Sequence, residues 1–399
     1  MYEQKVLGLL GTGHAFADLN QGALPIILTF LQPVLALSQL QVGMVMLSFN
    51  LSSSVIQPAF GIFSDRFNAA WLIPLGCFLA GLGMSLTGFV TGYHILMAAT
   101  LLSGLGVAAY HPEGSKYSRF ASGKQKATGM SLYAVGGNFG FAAGPVLAAL
   151  FLGIAGLKGT TGFFVLNGIM ALLLVLYLPS ITATDTSGRL LGPINNDDQP
   201  PSKKGLSIST GVVISILLLV FVIIMRSWVH FGLVTFLPQY YVLHLQHSNT
   251  YAASMVTLYL FSGALGTLVG GPLADRWGLK NVVITSMAIM IPLLYLFPHT
   301  QGVWSMVVVA AAGFTLISTF AVTVVLGQEL LPNNIGLAAG LTLGLGIGMG
   351  GVGATLLGWV ADTWGFPSIF LVMMFFPVVG LLLSLFLPGK TKLAAVKAT

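Results

Sequence analysis

The chain has 399 residues, of which 56% are hydrophobic and 7% are charged. The water-facing surface of a soluble protein needs far more charge, so this composition excludes a soluble domain and predicts a membrane protein. The formal net charge at pH 7 is +6. We nevertheless expect no nucleic-acid partner, because binding one requires a soluble basic face, which this chain lacks. The single cysteine, Cys77, cannot form an internal disulfide.

About twelve apolar stretches follow one another along the chain, and each is long enough to cross a bilayer as a helix. Continuous apolar runs exclude a transmembrane barrel, whose strands would alternate polar and apolar residues. The sequence therefore predicts an all-α polytopic membrane protein. The predicted spans are 6–33, 40–63, 70–90, 93–117, 126–154, 160–178, 209–242, 249–273, 279–298, 302–328, 335–361 and 366–387.

One polar stretch interrupts the apolar spans and predicts a linker between two halves. It runs from Pro179 to about Ser207 and is rich in proline, asparagine, aspartate and lysine. Six predicted helices precede it and six follow it. The predicted domains are an N-terminal six-helix bundle at 1–178, a cytoplasmic linker at 179–208 and a C-terminal six-helix bundle at 209–399.

A short motif occurs twice, after the second predicted helix of each half. It is a glycine followed four positions later by an Asp-Arg pair, Asp65-Arg66 in the first half and Asp275-Arg276 in the second. This duplication predicts two pseudo-symmetric bundles, which is the plan of transporters that move around a midplane binding site.

The lysines and arginines predict the orientation in the membrane. Of the 16 basic residues, only Lys158 falls in an outward loop and only Arg226 falls inside a helix, while the others lie on one side. By the positive-inside rule that side is the cytoplasm, so both termini are predicted to be cytoplasmic.

The repeated Gly-x-x-x-Asp-Arg turn and the six-plus-six plan resemble the major facilitator superfamily. Further motifs lie in the predicted helices 4, 5 and 11, namely Tyr110-His111-Pro112-Glu113, Val135-Gly136-Gly137-Asn138-Phe139-Gly140, Gly144-Pro145, Gln328-Glu329-Leu330-Leu331-Pro332 and Gly348-Met349-Gly350-Gly351. With these motifs the chain resembles the bacterial fosmidomycin-resistance branch of drug exporters within that superfamily. This resemblance implies a proton-driven efflux pump of the bacterial inner membrane, with protons, a small-molecule substrate and the lipid bilayer as partners. We expect a monomer with no cofactor and no metal.

Few ionisable side chains lie inside the predicted spans, where each costs about 2.5 to 3.5 kcal/mol near a helix centre. His14 and Asp18 are four residues apart in the first helix and share one face, with Gln21 on the same side. Arg226 and His230 occupy nearly equivalent places in the seventh helix. If the halves are related by a pseudo-two-fold axis, the two pairs are predicted to face each other across the cavity.

These positions suggest a division of roles. Asp18, with His14, is predicted to carry the proton, since closure of the cavity desolvates a carboxylate and favours its neutral form. Arg226 is predicted to supply a fixed positive charge for an anionic or polar substrate. The alternative is a buried Asp18–Arg226 ion pair that only holds the halves together. The predicted substrate-binding residues are Arg226, His230, Gln21, His111 and Asn138.

Two glutamates near the inner ends of helices 4 and 10 are equivalent in the repeat. Glu113 follows Pro112, which removes a backbone donor, and we assign it to proton coupling as well as to a cytoplasmic gate. The alternative is that both glutamates are helix-end anchors, and that the Asp-Arg pairs are only charged turns. The predicted gating residues are Asp65, Arg66, Asp275, Arg276 and Glu329.

Glycines recur every four residues in the fifth predicted helix, at Gly136, Gly140 and Gly144, and this spacing predicts close helix packing. Their Gly-x-x-x-Gly-Pro ending resembles an antiporter motif and favours export. The predicted function is a proton-driven antiporter that exports small anionic or amphipathic compounds such as fosmidomycin by alternating access. The alternative is a proton-coupled importer of an organic anion or metabolite. An enzyme fits poorly, because no zinc, nucleophile-elbow or P-loop motif occurs.

Overall fold

The computed structural model describes residues 4–67, 69–122, 126–189, 210–331, 338, 341–342 and 345–389. Within these residues the chain forms twelve principal helices, α1 to α12, in two groups of six. Eight stretches of the described residues are long and apolar enough to cross a membrane, and one of them, Leu132–Leu176, covers both α5 and α6. The predicted all-α polytopic fold is confirmed.

The N-terminal group contains α1 to α6. The second helix has two pieces, Gln39–Asn50 and Gln57–Arg66, joined by a π-helical turn at Leu51–Val55. A further helix, Leu178–Arg189, follows the last one, so the predicted linker begins as helix, and its residues 190–208 lie outside the described residues. The remaining bounds are α1 Gln4–Leu35, α3 Leu72–Leu86, α4 Tyr93–Ala121, α5 Lys126–Ala155 and α6 Thr161–Leu176.

The C-terminal group contains α7 to α12. A π-helical turn, Tyr240–His244, continues α7, and α10 has two pieces, Gly302–Ile317 and Thr319–Leu330. The start of the predicted span 335–361 lies largely outside the described residues. The remaining bounds are α7 Thr210–Gln239, α8 Asn249–Trp277, α9 Leu279–Leu296, α11 Leu345–Trp364 and α12 Phe366–Ser384.

Local sequence explains where several helices begin and end. Ser38 caps α2 by accepting from the Gln41 N–H, and the Gln41 side chain accepts from the Ser38 N–H, so both parts of a capping box are present. The turn from α8 to α9 passes through Gly278 at φ +95°, a left-handed conformation that glycine adopts without strain.

The same helix pairs pack together in both halves. The first helix of each group packs on the fifth, and the third packs on the fourth and the sixth. Between the halves, α2 packs on α11 and α5 packs on α8, and these two interfaces are equivalent if the halves repeat one another. The predicted pseudo-symmetric pair of bundles is therefore visible in the packing.

Glycines allow α5 to lie directly against α1. A Cβ at Gly136, Gly140 or Gly144 would collide with backbone atoms of α1, among them the carbonyl oxygen of Ala15 opposite Gly140. Close packing of small residues is a main source of helix association in membranes. The glycine spacing therefore holds the helix that carries His14 and Asp18 in register with α5.

We expect Gly140→Ala to destabilise the protein by about 1 to 3 kcal/mol, because the added methyl group must push α1 and α5 apart. The measurement is the thermal unfolding of the detergent-solubilised protein. Gly153→Ala is the matched control, since it makes the same change in the same helix where no described atom lies within 4 Å of the new Cβ. Equal melting temperatures for the two variants would contradict the packing role of Gly140.

The two halves are closed at the end that holds the turn between α1 and α2, which is the predicted external end. There the Thr29 hydroxyl donates to Asn249 Oδ1 at 3.1 Å, from α1 to α8. Deeper in the membrane, the Thr257 hydroxyl of α8 donates to the Ala142 carbonyl of α5 at 2.9 Å. These contacts join the outer parts of the halves.

Towards the opposite, predicted cytoplasmic end the same two helix faces carry exposed aromatic rings. Phe139 lies on the face of α5 that carries Ala142, and Phe261 lies on the face of α8 that carries Thr257, by helical spacing. Both rings are exposed, by 70% and 57% respectively. The α5–α8 interface is therefore in contact at Ala142 and Thr257, and the rings one turn further towards the predicted cytoplasmic end are exposed.

Candidate functional site

Three ionisable side chains meet between α1, α4 and α5. His14 Nε2 lies 3.1 Å from Asp18 Oδ2, and His111 Nε2 lies 3.2 Å from Asp18 Oδ1. The two Nε2 atoms lie 3.0 Å apart. We call His14, Asp18 and His111 the histidine-aspartate cluster. The structure thus brings His111, predicted to bind substrate, into direct contact with the predicted proton-coupling pair.

Each member of the cluster is held by its helix and by a neighbour. His14 and Asp18 occupy consecutive turns of α1, and His111 comes from α4, one residue before Pro112. Gly137 of α5 lies against the other side, where a Cβ would lie 2.5 Å from His14 Nε2 and 2.7 Å from Asp18 Oδ2. Gly137 therefore belongs to the site. The adjacent glycines Gly136 and Gly137 are the sequence feature from which this close approach could have been predicted.

The hydrogen bonds of the cluster fix both histidine tautomers. His14 Nδ1 lies 2.8 Å from the Tyr133 carbonyl oxygen, and His111 Nδ1 lies 2.8 Å from the Val107 carbonyl oxygen. A carbonyl oxygen only accepts, so the hydrogen-bond network assigns a proton to each Nδ1. Both Nε2 atoms of the neutral rings are then acceptors, as is the Asp18 carboxylate.

Three acceptors at hydrogen-bond distance from one another need at least one further proton between them. If both Nε2 atoms carried a proton, two N–H groups would point at each other across 3.0 Å. One shared proton on either Nε2 provides a hydrogen for two of the three contacts, and it makes the charge of the whole cluster zero. Its burial supports the same count, since the side chains of His14 and Asp18 are only 10% and 17% exposed and a net charge there is costly.

Aromatic rings surround this cluster. The His14 ring stacks on Tyr133 with the centroids 4.1 Å apart, and the Tyr110 hydroxyl donates to the Leu10 carbonyl oxygen at 2.6 Å. Two imidazoles and a carboxylate are also chemically able to bind a divalent cation. The separations of 3.0 to 3.2 Å suit hydrogen bonds, and they are also close to the roughly 3.3 Å between ligand atoms of a tetrahedral zinc ion.

A second polar group lies in α7. Arg226 is 3% exposed, its guanidinium carbon lies 5.1 Å from the centre of the Phe320 ring, and its Nε has no hydrogen-bond partner among the described residues. His230 Nδ1 lies 3.0 Å from the Tyr259 hydroxyl. Within the part of the chain that the structure describes, no carboxylate forms an ion pair with Arg226. A buried cation without an anion is a strong feature of an anion-binding site.

The cluster and His230 both approach α5, but Asp18 and Arg226 form no ion pair. Gly137 borders the cluster, and Phe141, one turn further, has its ring 6.3 Å from the ring of His230. One turn corresponds to about 6 Å along the helix axis. The cluster and the His230 ring therefore approach α5 on consecutive turns. The buried Asp18–Arg226 pair considered from the sequence is not formed, because Asp18 contacts the two histidines.

Two other predicted substrate residues lie outside these contacts. Gln21 is half-buried and Asn138 is exposed, and neither hydrogen-bonds to the cluster among the described residues. Their assignment to substrate binding stays a prediction.

Glu113 pairs with a lysine of its own helix. Its side chain is fully buried, and Oε1 accepts from Lys116 Nζ at 2.6 Å within α4. Of the other predicted gating residues, Asp275 and Arg276 are exposed at the end of α8, and Glu329 is half-buried in α10. The side chains of Asp65 and Arg66 lie outside the described residues.

Comparison of the sequence with known proteins identifies related transporters. Residues 10–342 and 216–398 match the model of the Major Facilitator Superfamily. The chain is 31% identical over 386 residues to the Fosmidomycin resistance protein of Escherichia coli (strain K12), covering 96% of this chain and 92% of that protein. It is 33% identical over 391 residues to the uncharacterized MFS-type transporter YfnC of Bacillus subtilis (strain 168), covering 97% and 94%.

Solved structures of transporters share the fold. The nucleoside transporter NupG superposes with a TM-score of 0.72 at 15% identity, covering 99% of this chain and 100% of that one. A bacterial homologue of the human lysosomal transporter Spinster, in an inward-facing and unoccupied conformation, gives 0.73 at 15% identity, covering 99% and 96%. Together with the sequence matches, this confirms the resemblance inferred from the motifs, and the chain belongs to the major facilitator superfamily.

Proposed function

We propose that the protein is a proton-driven antiporter that exports small anionic or amphipathic compounds, with fosmidomycin as the first substrate to test. The observation that carries the proposal is the histidine-aspartate cluster, in which two imidazole Nε2 atoms and one carboxylate lie 3.0 to 3.2 Å from one another and can share a labile proton. The similarity to a fosmidomycin resistance protein supports the choice of substrate.

A substrate can compete with the proton through hydrogen bonding. When the labile proton leaves, no hydrogen atom remains between Asp18 Oδ1, His14 Nε2 and His111 Nε2. All three atoms are then acceptors without a donor. A hydroxyl or N–H group of a substrate can donate to these acceptors in place of the proton. Binding of such a donor and binding of the proton are then mutually exclusive, which is the physical requirement for antiport.

The anionic end of the same substrate would pair with Arg226, which lies about one helical turn before His230 in α7. Because Arg226 is buried and its Nε has no partner within the described part of the chain, an incoming carboxylate or phosphonate gains a charge-assisted contact that displaces no existing ion pair there. Substrates with an anion at one end and a hydrogen-bond donor at the other are therefore favoured.

The proton gradient is a sufficient energy source for export. One proton supplies about 2.3 kcal/mol for each ~100 mV of membrane potential and about 1.4 kcal/mol for each pH unit. Together these support roughly a 500-fold gradient of a neutral substrate. His230 contacts Phe141 of α5, next to the Thr257–Ala142 hydrogen bond between the halves, and alternating access would open and close this interface.

Import of an organic anion together with a proton is the second candidate. The observation that favours it is the short spacing along α5 between the cluster and the His230 ring, which belongs to the same helix as Arg226. An anion bound there repels the deprotonated cluster and so favours its protonated form, which couples anion and proton in the same direction.

Inverted membrane vesicles with an acidic lumen test the direction. An antiporter accumulates fosmidomycin in the lumen, and addition of the drug speeds the loss of the pH gradient. An importer gives no accumulation in these vesicles, but takes up substrate in right-side-out vesicles with acid outside. The direction of flux thus distinguishes export from import with the same protein.

We expect Gly137→Ala to lower transport at least about tenfold, because the added methyl group displaces His14 and Asp18 from their hydrogen bonds. The measurement is drug-dependent proton movement in vesicles with equal amounts of protein. Gly153→Ala on the same helix is the control, since its new Cβ meets no described neighbour. Normal proton movement in Gly137→Ala would show that the geometry of the cluster is not required for coupling.

A further inference from the structure

Asp362 joins the end of α11 to the beginning of α2 in the other half. The Gln39 N–H donates to Asp362 Oδ1 at 2.7 Å, and the Leu40 N–H donates to Asp362 Oδ2 at 2.8 Å. Both carboxylate oxygens are therefore used, and both donors are backbone groups of the opposite half. No sequence motif singled out Asp362.

The first turn of α2 explains why a carboxylate fits there. Helices leave their first N–H groups without a partner inside the helix. Ser38 accepts from the Gln41 N–H with its hydroxyl oxygen and from the Val42 N–H with its carbonyl oxygen. The two N–H groups that remain, those of Gln39 and Leu40, both donate to Asp362. The positive end of the helix dipole adds to this charge-assisted pair of hydrogen bonds.

The equivalent interface lacks this contact. In the repeat, α5 corresponds to α11 and α8 corresponds to α2. The last turn of α5, 151–155, has no acidic residue in the sequence, and the first turn of α8 is instead capped by its own Ser248, which accepts from the Tyr251 N–H. Of these two interfaces, only the one between α2 and α11 has the carboxylate contact.

We propose that Asp362 is an external latch that holds the two halves together in the state closed at this end. Opening the cavity to the outside must separate α2 from α11, which breaks both hydrogen bonds at once. The latch therefore sets the ratio of the two conformations and the ease of the outward transition. This inference rests on alternating access in the proposed function, but on neither the substrate nor proton coupling.

Accessibility of a buried, introduced cysteine measures this ratio. Thr29 is 2% exposed, lies at the external end and contacts Asn249 of the other half, so the thiol of Thr29→Cys reacts with an impermeant external reagent only when that end opens. In this background, we expect Asp362→Asn and Asp362→Ala to raise the labelling rate about tenfold, equivalent to about 1.4 kcal/mol. An asparagine accepts from only one of the two donors, and its amide group opposes the other.

Two controls separate a latch from general destabilisation. Thr363→Ala changes the neighbouring exposed residue, whose hydroxyl donates to the Trp359 carbonyl oxygen within α11, and should leave labelling unchanged. The native Cys77 is buried in the N-terminal half and should stay unlabelled in every variant. Unchanged labelling of the introduced cysteine in both Asp362 variants overturns the proposal, as does a parallel rise at Cys77, which would indicate unfolding. Neither result depends on whether the transporter carries protons.

Discussion

Asp18→Asn is expected to abolish proton-coupled transport, with a loss of at least about 100-fold in drug-dependent proton movement. The amide of an asparagine supplies a permanent N–H to the Nε2 acceptors of His14 and His111. The cluster then no longer needs its labile proton, so nothing is released when the substrate binds. A 100-fold effect corresponds to about 2.7 kcal/mol, within the range for a lost charge-assisted contact in a buried site.

The measurement compares proton movement and fosmidomycin tolerance in cells and inverted vesicles that contain equal amounts of each variant. Thr12→Ala is the matched control in α1, because its exposed hydroxyl donates to the Gly8 carbonyl of the same helix. Asp18→Glu keeps the carboxylate and should retain part of the activity. Full proton coupling in Asp18→Asn would place the proton site elsewhere, with Glu113 and Glu329 the next candidates.

Arg226→Met is expected to weaken the binding of anionic substrates by roughly 100-fold and, at the same time, to raise the stability of the substrate-free protein. The affinity falls because a desolvated charge pair is lost. The stability rises because a buried cation with no ion-pair partner among the described residues, which costs about 2.5 to 3.5 kcal/mol in a membrane, is replaced by an apolar chain of similar length. A residue with a purely structural role would not show these opposite effects.

Thermal unfolding without substrate and equilibrium binding of fosmidomycin check this pair of effects. Arg226→Lys is the matched variant, since it keeps the charge but loses the planar guanidinium that lies over Phe320. It should bind anions within about tenfold of the native protein. A lower melting temperature together with unchanged affinity in Arg226→Met would mean that Arg226 stabilises the fold and does not bind substrate.

Much of the fold follows from the sequence, because the length of an apolar run and the duplication of a motif do not depend on tertiary contacts. The pairing of His14 with Asp18 was predictable for the same reason, since residues four apart share a helix face. The glycine spacing of α5 likewise predicted a close approach, and a Cβ at Gly140 would indeed collide with α1.

The contacts between helices were less predictable. The sequence predicts substrate binding for His111 but does not predict its contact with Asp18. This contact depends on the rotation of α4 relative to α1, which is set by packing and by the Pro112 region rather than by spacing within one helix. For the same reason the sequence did not show that Asp18 would contact two histidines. It also did not show that Arg226 would form no ion pair with a carboxylate among the described residues. Asp362 gave no signal at all, because its partners are backbone N–H groups, which every sequence provides.

The most direct test counts the protons that leave the purified protein when substrate binds, using a pH indicator in a weakly buffered detergent solution. If substrate replaces the labile proton of the histidine-aspartate cluster, saturating fosmidomycin releases about one proton per transporter in the native protein and none in Asp18→Asn. No release from the native protein, although it binds the drug, would contradict exchange of substrate for proton, and uptake of a proton would identify the importer instead.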